Sequence, residues 1–218
     1  MLIQNALDIL TADLTAINFV AAGRFGGVVH TVEQPIKEGE NILRKRVPVS
    51  CSVNETDCST DQFYQDLVPD SSKTSILYWE VLQAFQDNGE FNGIQTYKRN
   101  LSGSARLVGW LNTQKLGLKN CNVSGMAVRA LYDTLNTRFK ITSGELQNSQ
   151  VQFRVIGEEI KSARSIFGAY DYDYTKAFWL YPYDFFAINV SVEMVFSYGC
   201  DYTFPINTPI DCVDYTKL

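Results

Sequence analysis

The residues of this chain that could carry chemistry are few and scattered. Two carboxylate pairs, Glu158-Glu159 and Asp171/Asp173, are of the type that sugar hydrolysis places on either side of a scissile bond. Spacing along a chain does not establish their separation in space, and solvated surface carboxylates are the plainer reading. His30 is the single histidine, which leaves very few arrangements of nucleophile and base. Its alternating surroundings point to a packed or surface role. Gly23-Arg24-Phe25-Gly26-Gly27 is glycine-rich but lacks the Lys-Ser/Thr of a phosphate loop, so it reads as a turn. No dinucleotide glycine fingerprint, Gly-x-Ser-x-Gly elbow or HExxH occurs. Cys51, Cys58, Cys121, Cys200 and Cys212 are an odd set at irregular spacing, expected to be reduced thiols in or near the core. A zinc site would want close cysteine pairs or several histidines. We therefore expect no enzyme activity, no metal and no cofactor.

Recognition chemistry is better represented. Tyr170-Asp171-Tyr172-Asp173, within a longer Tyr/Asp alternation, makes an amphipathic surface with hydrogen-bonding tips, suited to contact with another protein. The plainer alternative is a Tyr-rich loop packed on its own domain. Arg44-Lys45-Arg46, with Lys98-Arg99 and Arg106, offers the complementary charge. Docking of this basic strand region on a neighbour's Tyr-Asp loop would build a head-to-tail contact that can close a ring.

These groups must be positioned by strands. Residues 97–112, YKRNLSGSARLVGWLN, alternate with period 2: the odd positions are apolar or small except Arg99, and the even positions are mostly polar. Sixteen residues would extend roughly 53 Å, two to three times a usual strand. The segment is expected either to fold back near Ser102-Gly103-Ser104 or to leave the domain as an arm, with Leu107 at a subunit boundary. Ile3, Leu7, Leu10 and Leu14 form the stripe of an amphipathic helix over residues 2–14. Strand-like runs around 28–32 and 42–49 suggest a hairpin, with Pro48 marking an edge or a strand end. Residues 52–74 read as a surface loop, 76–85 as a strand, and Asp87-Asn88-Gly89 as a turn. Ser124 is the expected N-cap of a helix to about Phe139, with Met126, Ala130, Leu131 and Leu135 on its apolar face. Strands are expected around 151–155 and 188–196, with a short helix or irregular stretch over 158–167. Neighbouring strands without strict βαβ alternation predict an α+β fold with a mostly antiparallel sheet and two or three helices. Residues 1–200 form one domain in this reading, with the ribbon (about 90–115) as an insertion and 201–218 as an extended C-terminal arm.

Composition narrows the partners. A length of 218 residues supports a real core, and a hydrophobic content of 45% argues against disorder. A net charge of -5 gives no global reason to hold nucleic acid. The N-terminal run carries Asp8 and Asp13 and has no cation ahead of it, a poor secretion signal and too charged to span a membrane. The chain is therefore expected to be soluble and made in a cytoplasm. Four glycosylation sequons, at Asn54, Asn100, Asn122 and Asn189, are read as chance matches.

The N-terminal helix, the ribbon ending in Arg106-Leu107-Val108-Gly109-Trp110-Leu111-Asn112, and the run from Trp179 to Ile188 followed by a strand together resemble virion proteins of tailed bacteriophages. The resemblance is closer to neck or tail ring proteins of crAss-like phages, akin to tail-terminator and head-tail joining proteins. It implies an α+β protomer in a multimeric ring around the DNA channel of the virion, in contact with other virion structural proteins. It carries over no functional residue. DNA is expected to pass without specific binding, along a neutral to acidic wall, with Arg44, Lys45 and Arg46 used on neighbouring subunits. The alternative in a different class is a β-rich module that binds a small molecule or glycan. An enzyme with an unrecognised motif is the third.

Overall fold

A computed structural model describes residues 2–38, 41–50, 67–90, 98–118, 123–141, 149–159, 162–172 and 179–197. The helix α1 spans Leu2–Leu14 and buries Ile3, Ala6, Leu7, Leu10 and Leu14 completely, as its apolar spacing requires. A single turn, α2 (Asn18–Ala21), leads into the hairpin of β1 (Arg24–Glu38) and β2 (Asn41–Ser50). Then follow β3 (Ser75–Glu90), β4 (Lys98–Asn112), α3 (Val123–Leu135), β5 (Arg138–Lys140), β6 (Gln150–Glu159), the turn α4 (Ala163–Ile166) and β7 (Tyr183–Ser197). The seven strands form one sheet in the order β2-β1-β3-β4-β7-β6-β5, antiparallel at every pair except β1 with β3. This is the α+β fold with a mostly antiparallel sheet that the strand pattern predicts. The described residues hold four helices, two of them single turns that carry no periodic signal.

The long alternating segment neither folds back nor leaves. It is one unbroken strand in the middle of the sheet, with β3 paired along one side and β7 along the other. Leu101, Ala105, Leu107 and Leu111 face α1 and α3, in a core with Trp79, Phe153, Phe186, Ile188 and Val190. Among the described residues the even side is covered at its end, where Val108 and Trp110 pack with Ile76, Tyr78 and Ala187 under Leu67, Ile166, Phe167 and Tyr170. Leu107 is thus a core residue and not a boundary residue. Both edges of its strand are already used inside the chain, so a neighbour's ribbon has no edge to pair with there.

Gly109 lies directly opposite Phe186, and a Cβ at 109 would sit 2.3 Å from the far end of that buried ring. Gly109→Ala is expected to cost about 1–3 kcal/mol, the usual penalty for overpacking. A lowered denaturation midpoint at unchanged slope checks it.

Three local readings change. Asp87-Asn88-Gly89 is not a turn but part of β3, where the register shifts against β4 three times between Val81 and Glu90. Bulges accept the same backbone conformations as turns. The helix α3 starts at Val123 and stops at Leu135, and it buries Val123, Ala127, Val128, Leu131 and Leu135 while Met126 and Ala130 are exposed. Its Ser124 is no cap: the Ser124 N–H donates to Asp184 Oδ2 at 2.7 Å, so a carboxylate from β7 serves the positive end of the helix. Of residues 158–167, Glu158 and Glu159 end β6 and Ala163–Ile166 form the turn α4. The five cysteines, most of the predicted 52–74 loop and the predicted arm over 201–218 lie outside the described residues.

Candidate functional site

The hairpin separates from the sheet at a glycine bulge. Arg24, Phe25 and Val28 of β1 pair with Ile76, Leu77 and Trp79 of β3, one residue more on β1 than on β3. Gly27 takes φ +67°, which side chains disfavour, so this run is a bulge inside a strand and not a free turn. Beyond Val28 the strands diverge. The two-stranded hairpin continues for ten residue pairs, Val29↔Ser50 to Glu38↔Asn41, a prong of about 33 Å. From Glu80 to Glu90, β3 is paired only to β4 among the described residues.

The fork between the two prongs holds a cleft of about 360 Å³, lined by His30, Thr31, Glu80, Leu82, Arg106 and Tyr170 among others. Glu80 is its centre. Arg106 Nε and Nη2 both donate to Glu80 Oε2, at 2.8 and 2.5 Å, and Tyr170 Oη donates to Oε1 at 2.8 Å. Arg106 Nη2 also reaches the Ile166 carbonyl at 3.2 Å. The pair is largely buried, with side-chain exposures of 15% for Arg106 and 10% for Glu80. Burial, with the Glu80 carboxylate beside it, pushes the Tyr170 phenol far above its usual value. Burial does the same to Tyr78, whose ring meets Tyr170 edge-on. Both phenols are therefore neutral at ordinary pH, not bases, and Tyr170 acts as a hydrogen-bond donor. The cluster fastens the 162–172 segment to the sheet.

A second fastening lies on the prong. Arg46 Nη2 is 3.0 Å from Asp171 Oδ1, and the Arg46 N–H donates to Asp171 Oδ2 at 2.8 Å. The Arg46 carbonyl in turn accepts the Asp171 N–H at 2.9 Å. These bonds to Arg46, with its positive charge, hold the Asp171 carboxyl below the usual carboxylate range. The predicted attraction between the basic strand and the Tyr-Asp loop forms within the chain, between Arg46 and Asp171. Arg46 and Asp171 are committed to it, and Arg106 and Tyr170 are committed to Glu80. Tyr172 is half-buried among Phe167, Tyr170 and Trp179, with ring centroids 5.5–5.9 Å away. Lys45 is partly buried and Arg44 is exposed. Asp173 lies outside the described residues.

The Arg46 bonds also fix which way the prong's peptide groups point. Arg46 turns its N–H and C=O away from β1, and alternate residues of an antiparallel strand share that direction. Ile42, Arg44 and Pro48 of β2 therefore point outward, as do Thr31, Pro35 and Lys37 opposite them on β1. Both prolines fall where a strand tolerates them, and each removes a donor from an open edge. On β2, Pro48 and the Asp171 bridge close the edge near the root. Ile42 and Arg44 keep outward N–H and C=O groups near the tip.

Of the two carboxylate pairs, Asp171 is bound to Arg46, and neither Asp173 nor the side chain of Glu159 is among the described residues. Glu158 borders an open cleft of about 580 Å³ beside Arg129, Tyr132 and Asp133. His30 is exposed at the fork. Sequence reasoning misses Glu80, although a lone charge inside the apolar run from Ile76 to Phe85 is the signal of a buried, partnered residue. No helix among the described residues is long and apolar enough to cross a membrane. No protein-family model matches this sequence, and no curated protein matches it either.

Proposed function

We propose that this chain is a structural subunit of a multimeric ring in the neck or tail of a tailed phage, joining virion components around the DNA channel. The observation that carries this reading is the forked architecture. A protomer that only had to fold has no use for a hairpin that runs about 33 Å past its last pairing with β3, at Val28, and beyond the Arg46–Asp171 bridge near its root. A prong with an exposed Ile42 near its tip is surface made for a neighbour. The ring reading places the protein in the virion, in contact with other structural proteins, with DNA passing unbound. The net charge of -5 suits a wall that does not retain the duplex.

A β-rich module for a small molecule or glycan is the alternative, and the fork cleft is its candidate site. Its charged lining argues against it, because Glu80 and Arg106 satisfy one another. The purified chain is expected to assemble into a closed multimer, seen as rings by negative stain and as a multiple of 24.6 kDa by light scattering. A monomer at every concentration up to the high micromolar range would overturn the ring reading.

A further inference from the structure

We propose that the open edge of β3, over residues 81–90, receives the tip half of the β1–β2 hairpin from a second copy of this chain, added as a strand through Ile42 and Arg44. The proposal rests on the ring reading and names the surfaces that would close the ring.

Three observations carry it. The first is the pair of unfinished edges. Among the described residues β3 has no partner on its outer side beyond Trp79, and β2 keeps outward N–H and C=O groups only at its tip half. An unpaired edge is a template for another chain's strand. The register shifts in β3 and the closed root of β2 restrict the joint to a few residues, which fixes its position and guards against unlimited pairing.

The second is charge. Residues 41–46 carry three cations and no acid, whereas residues 80–90 carry three acids and no cation. Arg46 and Glu80 are bound near the roots, and Asp87 pairs with Arg99 of β4. Arg44, exposed toward the tip of β2, and Glu90, at the end of β3, carry the contrast toward the tips, where the two prongs of different copies would meet. The third is apolar surface: Ile42 is 71% exposed and Leu82 is 51% exposed, one on each proposed partner. Neither packs within its own protomer to a degree that explains an aliphatic side chain there.

The N–H of residue 44 gives a selective test. It points away from β1, so Arg44→Pro removes a donor that none of the described residues accepts, as Pro48 already does four residues along. Arg44→Ala removes the charge and keeps the donor. Mass by light scattering and secondary structure by circular dichroism are measured on the full chain for the wild type and both variants. Wild type is expected to be multimeric and R44A to assemble more weakly, with a steeper salt dependence lost. R44P should fall to monomer with an unchanged spectrum, a loss of at least about tenfold in association, or one hydrogen bond of about 1.4 kcal/mol. Hydrogen exchange of residues 81–90 should be slow in the wild-type multimer and fast in the R44P monomer.

Should R44P fail to fold, Leu82→Asp on the acceptor edge decides: it should fold and not assemble. Normal assembly of a folded R44P or L82D would reject this joint while leaving the ring reading intact. Slow exchange of residues 81–90 in the monomer would also reject it, since the chain's own residues would then cover the edge. A monomeric wild type would reject the joint and the ring together.

Discussion

Leu107→Asp should abolish folding, not assembly alone. Leu107 is fully buried, with Trp79 of β3 on one side and Ile188 of β7 on the other, both also fully buried. Truncating a core leucine already costs about 2–5 kcal/mol. Carboxylate desolvation adds several kcal/mol more, or else the group stays protonated without a partner. The sum approaches the whole stability of an ordinary domain, about 5–15 kcal/mol. Leu107→Met keeps the volume and should cost less than about 1.5 kcal/mol. Circular dichroism and thermal melting of the two variants provide the check. A cooperatively folded L107D that has lost only its self-association would place Leu107 at a subunit boundary after all.

The sequence carries the faces of β4 but not its neighbours. Period 2 separates Leu101, Ala105, Leu107 and Leu111 from Ser102, Ser104 and Arg106, and the structure keeps that division. Length misleads, because fifteen residues look excessive only until β3 and β7, with sixteen and fifteen, are known to flank them. Two exceptions to the alternation are informative. Val108 and Trp110 are apolar on the polar side, and that is where the second layer covers the sheet. The arm that the ribbon suggests exists elsewhere in the chain, as the β1–β2 hairpin, whose length depends on where the glycine bulge parts β1 from β3. No periodicity encodes that point.

Pairing between distant segments is legible as chemistry and illegible as topology. The charges of Arg44-Lys45-Arg46 and of the Tyr-Asp run do attract, and residue types alone cannot say whether the two lie in one chain or two. Asp184 shows the same limit at a helix end. Local capping rules favour Ser124, but the sheet brings a stronger acceptor across sixty residues of sequence. Glu80 was within reach of sequence reasoning, since a single carboxylate among Ile76, Leu77, Tyr78, Trp79, Val81 and Leu82 must find a cation, although not which one.

That carboxylate sets the hierarchy between the two fastenings of the 162–172 segment, and the expected effects differ severalfold. Glu80→Ala leaves the Arg106 guanidinium, 15% exposed, without its counter-charge and the Tyr170 hydroxyl without its acceptor. Breaking a buried pair from one side costs about 3–5 kcal/mol, or roughly 6–20 °C in Tm at about 2–4 °C per kcal/mol for a domain of this size. Arg46→Ala removes an ion pair whose side chains are 49% and 40% exposed, where solvent screening leaves about 0–1 kcal/mol. Tyr170→Phe isolates the hydrogen bond from the phenol to the Glu80 carboxylate, at about 1.5–3 kcal/mol. The double variant Glu80→Leu, Arg106→Met should recover much of the E80A loss, because it leaves no unpaired charge behind. Melting temperatures, with near-ultraviolet circular dichroism of the tryptophans, which include Trp110 and Trp179 beside the 162–172 segment, order the four. If R46A proved as damaging as E80A, the 162–172 segment would be held from the prong and not from the buried cluster. The fork would then owe its shape to the hairpin, and a neighbour that engaged the hairpin could loosen the second layer of the sheet.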